Sequence, residues 1–389
     1  MRILVLIHEF PPIGGGGGQV AKDICKELAS IGHEIVLMTA HLKGLPRQET
    51  VEGIRVIRQP SLRRQAYVAD LLTMGAYILL SLFPALRLVK SWKPDLIHVH
   101  FAVPAGALAW LLSKMTGVPY LLTVHLGDIP GGVPEKTENW FRWFYPFTPP
   151  IWRDAARVVA VSNYTRGLAA QHYPVDVTVI PNGVDLASQV KGEVQVGSPP
   201  TIVFAGRFVD QKNPLHLVRT LAGVSDLPWK CIMLGDGPLR EEVETEICSH
   251  GMQERFDLPG WVTPDQVNNW LKGSDILFMP SRAEGLSVVG LQALGLGLAI
   301  VSSRAGGFVD LVEPGGNGYL VSDPDSPEFT LALRTLLADP ELLRRFREAS
   351  REKAKSFDLT KIVADYAQVM AQILENESRS RGGVGAALF

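Results

Sequence analysis

The chain has 389 residues, too many for one ordinary α/β core, so two domains are expected. It is 46% hydrophobic and 20% charged, with a formal net charge of -2. That is a globular profile without the basic excess of a nucleic-acid binder or of a protein made for polyanions.

Short apolar runs alternate with helical patterns from one end to the other, the signature of parallel sheets with helices on both faces. MRILVLI reads as a first strand, because its apolar run stops at His8-Glu9 and no secretory cleavage site follows. The glycines Gly14 to Gly18 come next, then a helical pattern, VAKDICKELASIG. HEIVLMTA and GIRVIRQ are the second and third strands. HEIVLMTA ends in Thr39-Ala40 rather than in a carboxylate, which disfavours a dehydrogenase. Residues 71–86 are apolar and uncharged, but short of the ~20 residues a membrane span needs, so no transmembrane helix is expected. Arg55, Arg58, Arg63 and Arg64 precede this run. Two readings stay open: a solvated arginine loop ahead of a core helix, or a basic-apolar patch at 55–86 that touches anionic membrane.

DLIHVH, YLLTVH, RVVAVS and VTVIPN complete the first series of strands. His98 and His100 alternate along DLIHVH but lack a third ligand at metal spacing, so they are read as strand residues on the acceptor side. Residues 186–200 are polar and end in Pro-Pro, as an interdomain linker would. TIVFAGR, KCIMLGD, FDLPGWV, ILFMPS, LAIVSS and GYLVS then form a second series. The boundaries expected are 1–186 for the first domain and 198–357 for the second. A helix at about 358–377 follows, packing back on the first domain, and 378–389 is read as a disordered tail. Asp323-Pro324-Asp325 is the one D-x-D in the chain and is read as a helix start rather than a metal site. Cys25, Cys231 and Cys248 are far apart with no metal spacing, which suits a reduced, cytosolic thiol set.

Three stretches carry candidate chemistry. Gly14 to Gly18 lie between the first strand and the first helix, where glycines admit a phosphate to free backbone N–H groups; a flexible turn is an equal alternative. AGRFVDQKN places Arg207 and Lys212 after the first strand of the second series, where two cations can neutralise a diphosphate without a metal. In residues 276–297 a buried strand ends in a loop, and a helix is expected from about Leu286, with amides at Leu286, Ser287 and Val288 free for an anion. Glu284 precedes that start, where its carboxylate suits sugar hydroxyls, and Gln292 lies four residues after Val288 on the same face.

Taken with FPPIGGGGG, KPDLIHVH, TVHLGD, VVAVSNYTRG, VIPNGVD, LGDGP, PSRAEGL, AGG and NGYLV in the same order, these stretches make the chain resemble family-four retaining glycosyltransferases of the two-Rossmann (GT-B) fold. The resemblance runs over nearly the whole chain. It implies two Rossmann-like domains with parallel sheets and an interdomain cleft. It implies a metal-independent hexosyl transfer from a nucleotide-diphosphate sugar to a hydroxyl of a glycan or lipid-linked acceptor, with no cofactor beyond the donor. Gly15 and Gly16 match the loop that closes on the donor diphosphate, and Arg207 and Lys212 match the positions that bind it. Glu284 matches the glutamate on the donor sugar, the backbone of Leu286, Ser287 and Val288 holds phosphates, and His125 lies near the transferred sugar. Gly235 and Val262 match loops at the nucleobase and ribose, and Asn182-Gly183 the turn out of the first domain. Two positions depart from the family: Gln292 stands where a ribose-binding glutamate is common, and Gly18 where many members have a loop glutamate. A nucleotide-sugar 2-epimerase of the same fold and an inactive sugar-nucleotide-binding protein are the alternatives. The location implied is cytoplasmic, including the inner face of the cell membrane.

Overall fold

The computed structural model describes residues 1–65, 69–133, 144–187 and 192–385, with side chains to Arg379. The chain forms two compact units. Unit 1 is Met1–Asn182 together with Leu359–Phe389, and unit 2 is Gly183–Asp358. Unit 1 thus ends just ahead of the polar stretch 186–200, of which residues 188–191 lie outside the described residues.

The strands of unit 1 are β1 (Arg2–Leu6), β2 (Glu34–Ala40), β3 (Gln48–Val51), β4 (Ile54–Gln59), β5 (Leu96–His100), β6 (Tyr120–Val124), β7 (Arg157–Ala160) and β8 (Val177–Val179). They make one eight-stranded sheet in the order β3-β4-β2-β1-β5-β6-β7-β8, parallel except for β3. Its helices are α1 (Gly16–Ser30), α2 (Leu71–Trp92), α3 (Ala107–Thr116), α4 (Pro149–Arg153) and α5 (Asn163–His172). Every residue of β5 and β6 is buried, as a central strand covered on both faces requires. The sequence pattern misses β3: QETV has no apolar run, because it lies on the sheet edge with its residues half-buried or exposed.

Unit 2 contains β9 (Thr201–Ala205), α6 (Pro214–Ala222), β10 (Lys230–Leu234), α7 (Arg240–Ser249), β11 (Phe256–Gly260), α8 (Pro264–Lys272), β12 (Ile276–Met279), α9 (Val288–Leu296), β13 (Ala299–Ser303), α10 (Phe308–Leu311), β14 (Gly318–Val321), α11 (Glu328–Ala338) and α12 (Pro340–Ala354). Its six parallel strands follow the order β11-β10-β9-β12-β13-β14. In each sheet the chain starts in the middle, winds one way and then the other. The switch points are β1/β5 in unit 1 and β9/β12 in unit 2, and ligands of open α/β sheets bind outside the carboxyl ends of the strands there.

The last helix, α13 (Leu359–Gly385), belongs to unit 1. Ile362, Val363, Tyr366, Met370 and Ile373 recur on one face and are buried. The Tyr366 hydroxyl lies 3.3 Å from Thr123 Oγ1 on β6. This helix continues past 377 to Gly385, so 378–385 is not the disordered segment its polar, glycine-containing sequence suggests; 386–389 lie outside the described residues. α2 is also longer than the uncharged run that signals it, because it continues through Arg87 to Trp92. By length and composition it could cross a membrane. Its inner face is committed to unit 1, with Tyr77, Ser81, Ala85 and Val89 buried.

Candidate active site

At the switch point of unit 2, the loop after β9 carries Gly206, Arg207 and Lys212, and the loop after β12 carries Glu284. The structure joins these loops directly. Lys212 Nζ forms an ion pair with Glu284, whose carboxylate is buried. The Arg282 amide donates to Gln211 O at 2.8 Å, and Gln211 Nε2 to Ala283 O at 3.0 Å. Glu284 is therefore not the open carboxylate expected from its place before a helix, nor is Lys212 an unengaged cation. A carboxylate withdrawn this far from water needs a partner, and Lys212 is the one within reach. Arg207 is half-buried; its carbonyl accepts from the Val209 amide at 2.9 Å, and its guanidinium makes no hydrogen bond or ion pair among the described residues.

Glycines press these loops together. A Cβ on Gly235, whose φ is +134°, would overlap the carbonyl of Gly206, and one on Gly306 would overlap the carbonyl of Glu284. The Gly307 amide donates to Gly285 O at 2.8 Å. Gly235 thus fixes the backbone that presents Arg207, and the Ala305-Gly306-Gly307 turn fixes the backbone of Glu284. On the other flank, Arg282 pairs with Asp325 at 2.6 Å and Asp210 at 3.3 Å. Asp325 also accepts from Asn213 Nδ2 at 3.1 Å. Asp323-Pro324-Asp325 is therefore not a helix start: α11 begins at Glu328, and Asp325 anchors the loop that carries Glu284.

α9 begins at Val288 rather than near Leu286. Ser287 is its N-cap, its hydroxyl accepting from the Gly290 amide at 3.2 Å. The first-turn amides without intrahelical acceptors are those of Val288 and Val289, and Leu286 and Ser287 precede the helix. The shift arises because the serine cap fixes the start, which the unbroken apolar sequence conceals. Gln292 is half-buried on α9, and its amide has no partner among the described residues. Val262 follows the edge strand β11, just ahead of Thr263, the N-cap of α8.

At the switch point of unit 1, the glycine loop follows β1 and opens α1 at Gly16, with Gly15 as N-cap. Beside Gly15 lies the Glu9 carboxylate, which the Gly15 N–H helps to keep ionised and which pairs with Arg63 at 3.2 Å and lies 3.6 Å from His8. The N–H groups of Gly16 and Gly17, in the first turn of α1, have no intrahelical acceptors. Two more of the glycines are steric necessities. A Cβ on Gly17 would meet the Phe101 ring at 2.5 Å, and one on Gly18 the Glu9 carbonyl at 2.8 Å. A glutamate at 18 therefore has no room here.

His125 ends β6 and stacks on Phe101, with ring centroids 4.3 Å apart. Its amide donates to Asp128 Oδ2 at 2.8 Å, and Ala102 N donates to Asp128 Oδ1 at 2.8 Å. His98 and His100 are wholly buried on β5. His98 Nε2 lies 2.9 Å from Thr123 Oγ1, and neither ring nitrogen of His100 has a hydrogen-bond partner among the described residues. Burial lowers His8 and His125 to about 4 and His98 to about 3, and holds His100 well below the usual value. Burial raises Asp128 to about 7, against three backbone donors that pull it down. The histidines at this switch point are therefore neutral at pH 7. Arg58 and Arg63, taken from the sequence as part of a surface basic patch, are interior residues. Arg58 pairs with Glu49 at 2.5 Å and Arg63 with Glu9, whereas Arg55 and Arg64 are exposed.

Phe101 and Glu9 escape a reading of the sequence alone. Phe101 sits at φ +72°, ψ 129°, which is strained for an aromatic residue, and its ring fills the space between Gly17 and His125. The glycine at 17 is the one sequence signal of this contact, and a run of five glycines hides which of them is needed.

This arrangement, two doubly wound parallel sheets with a cation-rich loop and a helix start at the switch point of the second, belongs to glycosyltransferases of the GT-B fold. Residues 14–188 match the model of Glycosyltransferase Family 4, and residues 188–353 that of Glycosyl transferases group 1. The chain is a family-four glycosyltransferase. It is 28% identical over 364 residues to the 2-deoxystreptamine N-acetyl-D-glucosaminyltransferase of Streptomyces fradiae, covering 87% of this chain and 86% of that one. It is 24% identical to the N-acetyl-alpha-D-glucosaminyl L-malate synthase of Bacillus anthracis, covering 98% and 100%. Among solved structures, the sucrose-phosphate synthase of Thermosynechococcus elongatus superposes with a TM-score of 0.84 at 19% identity, covering 96% of this chain and 99% of that one. Anabaena HepE, solved in complex with UDP-glucose, superposes with a TM-score of 0.74 at 18% identity, covering 96% and 100%.

Proposed function

We propose that the protein transfers a hexosyl group from a nucleotide-diphosphate sugar to an acceptor hydroxyl, with retention of the anomeric configuration and without a metal ion. The observation that carries this is the Lys212–Glu284 pair beside unpaired Arg207 and the N-terminus of α9, all at the switch point of unit 2. A diphosphate there meets Arg207, Lys212 and the amides of Val288 and Val289, a fixed set of positive charges and dipoles. In binding Lys212 it releases the Glu284 carboxylate to accept hydrogen bonds from sugar hydroxyls. Val262 and Gln292 are assigned to the nucleoside, where the Gln292 amide takes the ribose hydroxyls at a cost of about 1 kcal/mol relative to a carboxylate. HepE, a structural neighbour, binds UDP-glucose, which supports a donor of this class.

In the transfer step the C1–O bond to the diphosphate breaks as the bond from the acceptor oxygen to C1 forms on the same face. The acceptor proton passes to the departing phosphate. Arg207 and Lys212 stabilise the charge that grows there. His125, held neutral by burial, is a weak base, and its Nε2, which has no partner among the described residues, serves as a hydrogen-bonding group for a sugar hydroxyl rather than as the proton acceptor. In unit 1 the backbone amide of Gly16, which has no intrahelical acceptor, and that of Gly15 are assigned to anion binding. The acceptor is a glycan or lipid-linked alcohol, handled at the inner face of the cell membrane.

Incubation with a panel of UDP-, GDP- and ADP-sugars, with and without acceptors, tests the proposal. Acceptor-dependent product with retained anomeric configuration, unchanged by EDTA, is expected. Arg207→Ala should lower turnover at least about a hundredfold with the fold intact. Acceptor-independent epimerisation of the donor, or normal turnover in Arg207→Ala, overturns it.

A further inference from the structure

α2 is apolar on two opposite sides. One side holds Tyr77, Ser81, Ala85 and Val89, buried in unit 1, with the Tyr77 hydroxyl donating to Met38 O at 3.2 Å. The other side, at the same three- and four-residue spacing, exposes Leu72 by 69%, Leu79 by 75% and Phe83 by 68%, with Leu80 beside them. Arg87 and Lys90 continue this line after Phe83; both are exposed, and the Arg87 guanidinium lies 5.5 Å above the Phe83 ring. Lys93 caps the helix. No Asp or Glu occurs from residue 71 to 94. A continuous apolar stripe of this length, left in water and bordered on one end by three cations, marks a contact surface.

We propose that this stripe docks unit 1 on the surface of an anionic lipid bilayer. The helix lies in the interfacial plane, with Leu72, Leu79, Leu80 and Phe83 among the acyl chains and Arg87, Lys90 and Lys93 against lipid phosphates. The helix lies on the bilayer rather than crossing it, because crossing would withdraw Tyr77, Ala85 and Val89 from the core of unit 1 and leave Arg87 and Lys90 in hydrocarbon. A bilayer suits the stripe better than a second copy does. Self-association along it would match three cations per copy with one acid, Asp70, whose carboxylate already caps the helix through the Thr73 amide at 2.8 Å. The surface differs from the one the sequence suggests, since Arg58 and Arg63 are interior and the cations come from the last turns of α2 instead.

Flotation of the full chain with phosphatidylcholine vesicles, with and without phosphatidylglycerol, tests this without any donor or turnover, so it stands or falls apart from the transfer reaction. Binding is expected only with the anionic lipid, weakening with salt. Leu79→Ser/Phe83→Ser and Arg87→Ser/Lys90→Ser should each lower the partition coefficient about tenfold. Thermal melts check that each variant folds, and the second pair, at exposed positions, carries the test if the first does not fold. No flotation with anionic vesicles, or unchanged binding in both variants, overturns the proposal. A dimer in solution that Leu79→Ser/Phe83→Ser dissociates would give the face to a second copy and overturn it equally.

Discussion

Acidification should destabilise unit 1 above the usual range of carboxylate titration. His8, His98 and His125 are native with pKa values of about 4, 3 and 4 against 6.5 unfolded, and His100 is lowered as well. Between their folded values and 6.5, the unfolded chain binds protons that the native one does not. Their contribution is complete above 6.5 and is lost as pH falls, at about 1.4 kcal/mol per pH unit for each histidine. Asp128 acts in the opposite sense. Its folded value of about 7 makes the native state bind the extra proton down to its unfolded value, offsetting one histidine over the same range. Asp23, raised to about 6 by burial, offsets a second histidine near pH 5. One to two histidines then remain uncompensated, or roughly 1.5–3 kcal/mol per pH unit near pH 5. A domain holding about 5–15 kcal/mol at neutrality loses a large part of it over two to three such units. Hydrogen exchange read by mass spectrometry from pH 7.5 to 4.5, corrected for the intrinsic rate, resolves the two units. Protection of β5 and β6 should collapse with acid while that of β9 and β12 changes less, and His100→Phe should flatten the slope by about one histidine. Unchanged protection of β5 and β6 down to about pH 5 would refute the placement of neutral imidazoles in this core.

Lys212→Met should destabilise unit 2 by about 2–4 kcal/mol by leaving Glu284 buried without a cation. Adding Glu284→Gln should restore most of that stability in chemical denaturation while turnover stays low. Gly306→Ala, which places a methyl on the Glu284 carbonyl, should give insoluble or strongly destabilised protein. Gly15→Ala, with open space around its Cβ and a negative φ, should melt within about 1 kcal/mol of the parent and weaken donor binding in calorimetry. Phe101→Leu should cost about 1–2 kcal/mol and, by opening one face of the His125 ring to water, move its pKa up toward 6.5 in an NMR titration.

The parallel strands were legible because each is a short run of buried aliphatics, and periodicity reports burial. β3 was not, since an edge strand in contact with water carries no such run. The candidate residues of unit 2 were legible as positions: Arg207, Lys212 and Glu284 follow β9 and β12, the strands on either side of the switch point. Their pairing was not. That Lys212 turns to Glu284, or that Arg63 turns inward to Glu9, depends on which charge lies nearest in three dimensions, and 72 residues separate the first pair in sequence. Composition likewise marked the apolar character of α2 but not which of its sides is covered.

The two switch points differ in charge, and this assigns the anionic part of a donor to one of them. In unit 1 the buried arginines are paired, Arg63 with Glu9 and Arg58 with Glu49, and the buried histidines are neutral. In unit 2 the Arg207 side chain is unpaired among the described residues, and Lys212 is held by a carboxylate that sugar hydroxyls can engage in its place. Two phosphates arriving at unit 1 would meet backbone amides beside the Glu9 carboxylate and neutral histidines; at unit 2 they meet the Arg207 guanidinium and the start of α9. Changes at Arg207 or Lys212 should therefore shift the affinity for a bare nucleoside diphosphate in calorimetry by at least about tenfold, whereas His125→Ala should leave it nearly unchanged and act only on sugar transfer. If His125→Ala weakens the bare diphosphate as much as Arg207→Ala does, the division of labour between the two sheets is wrong.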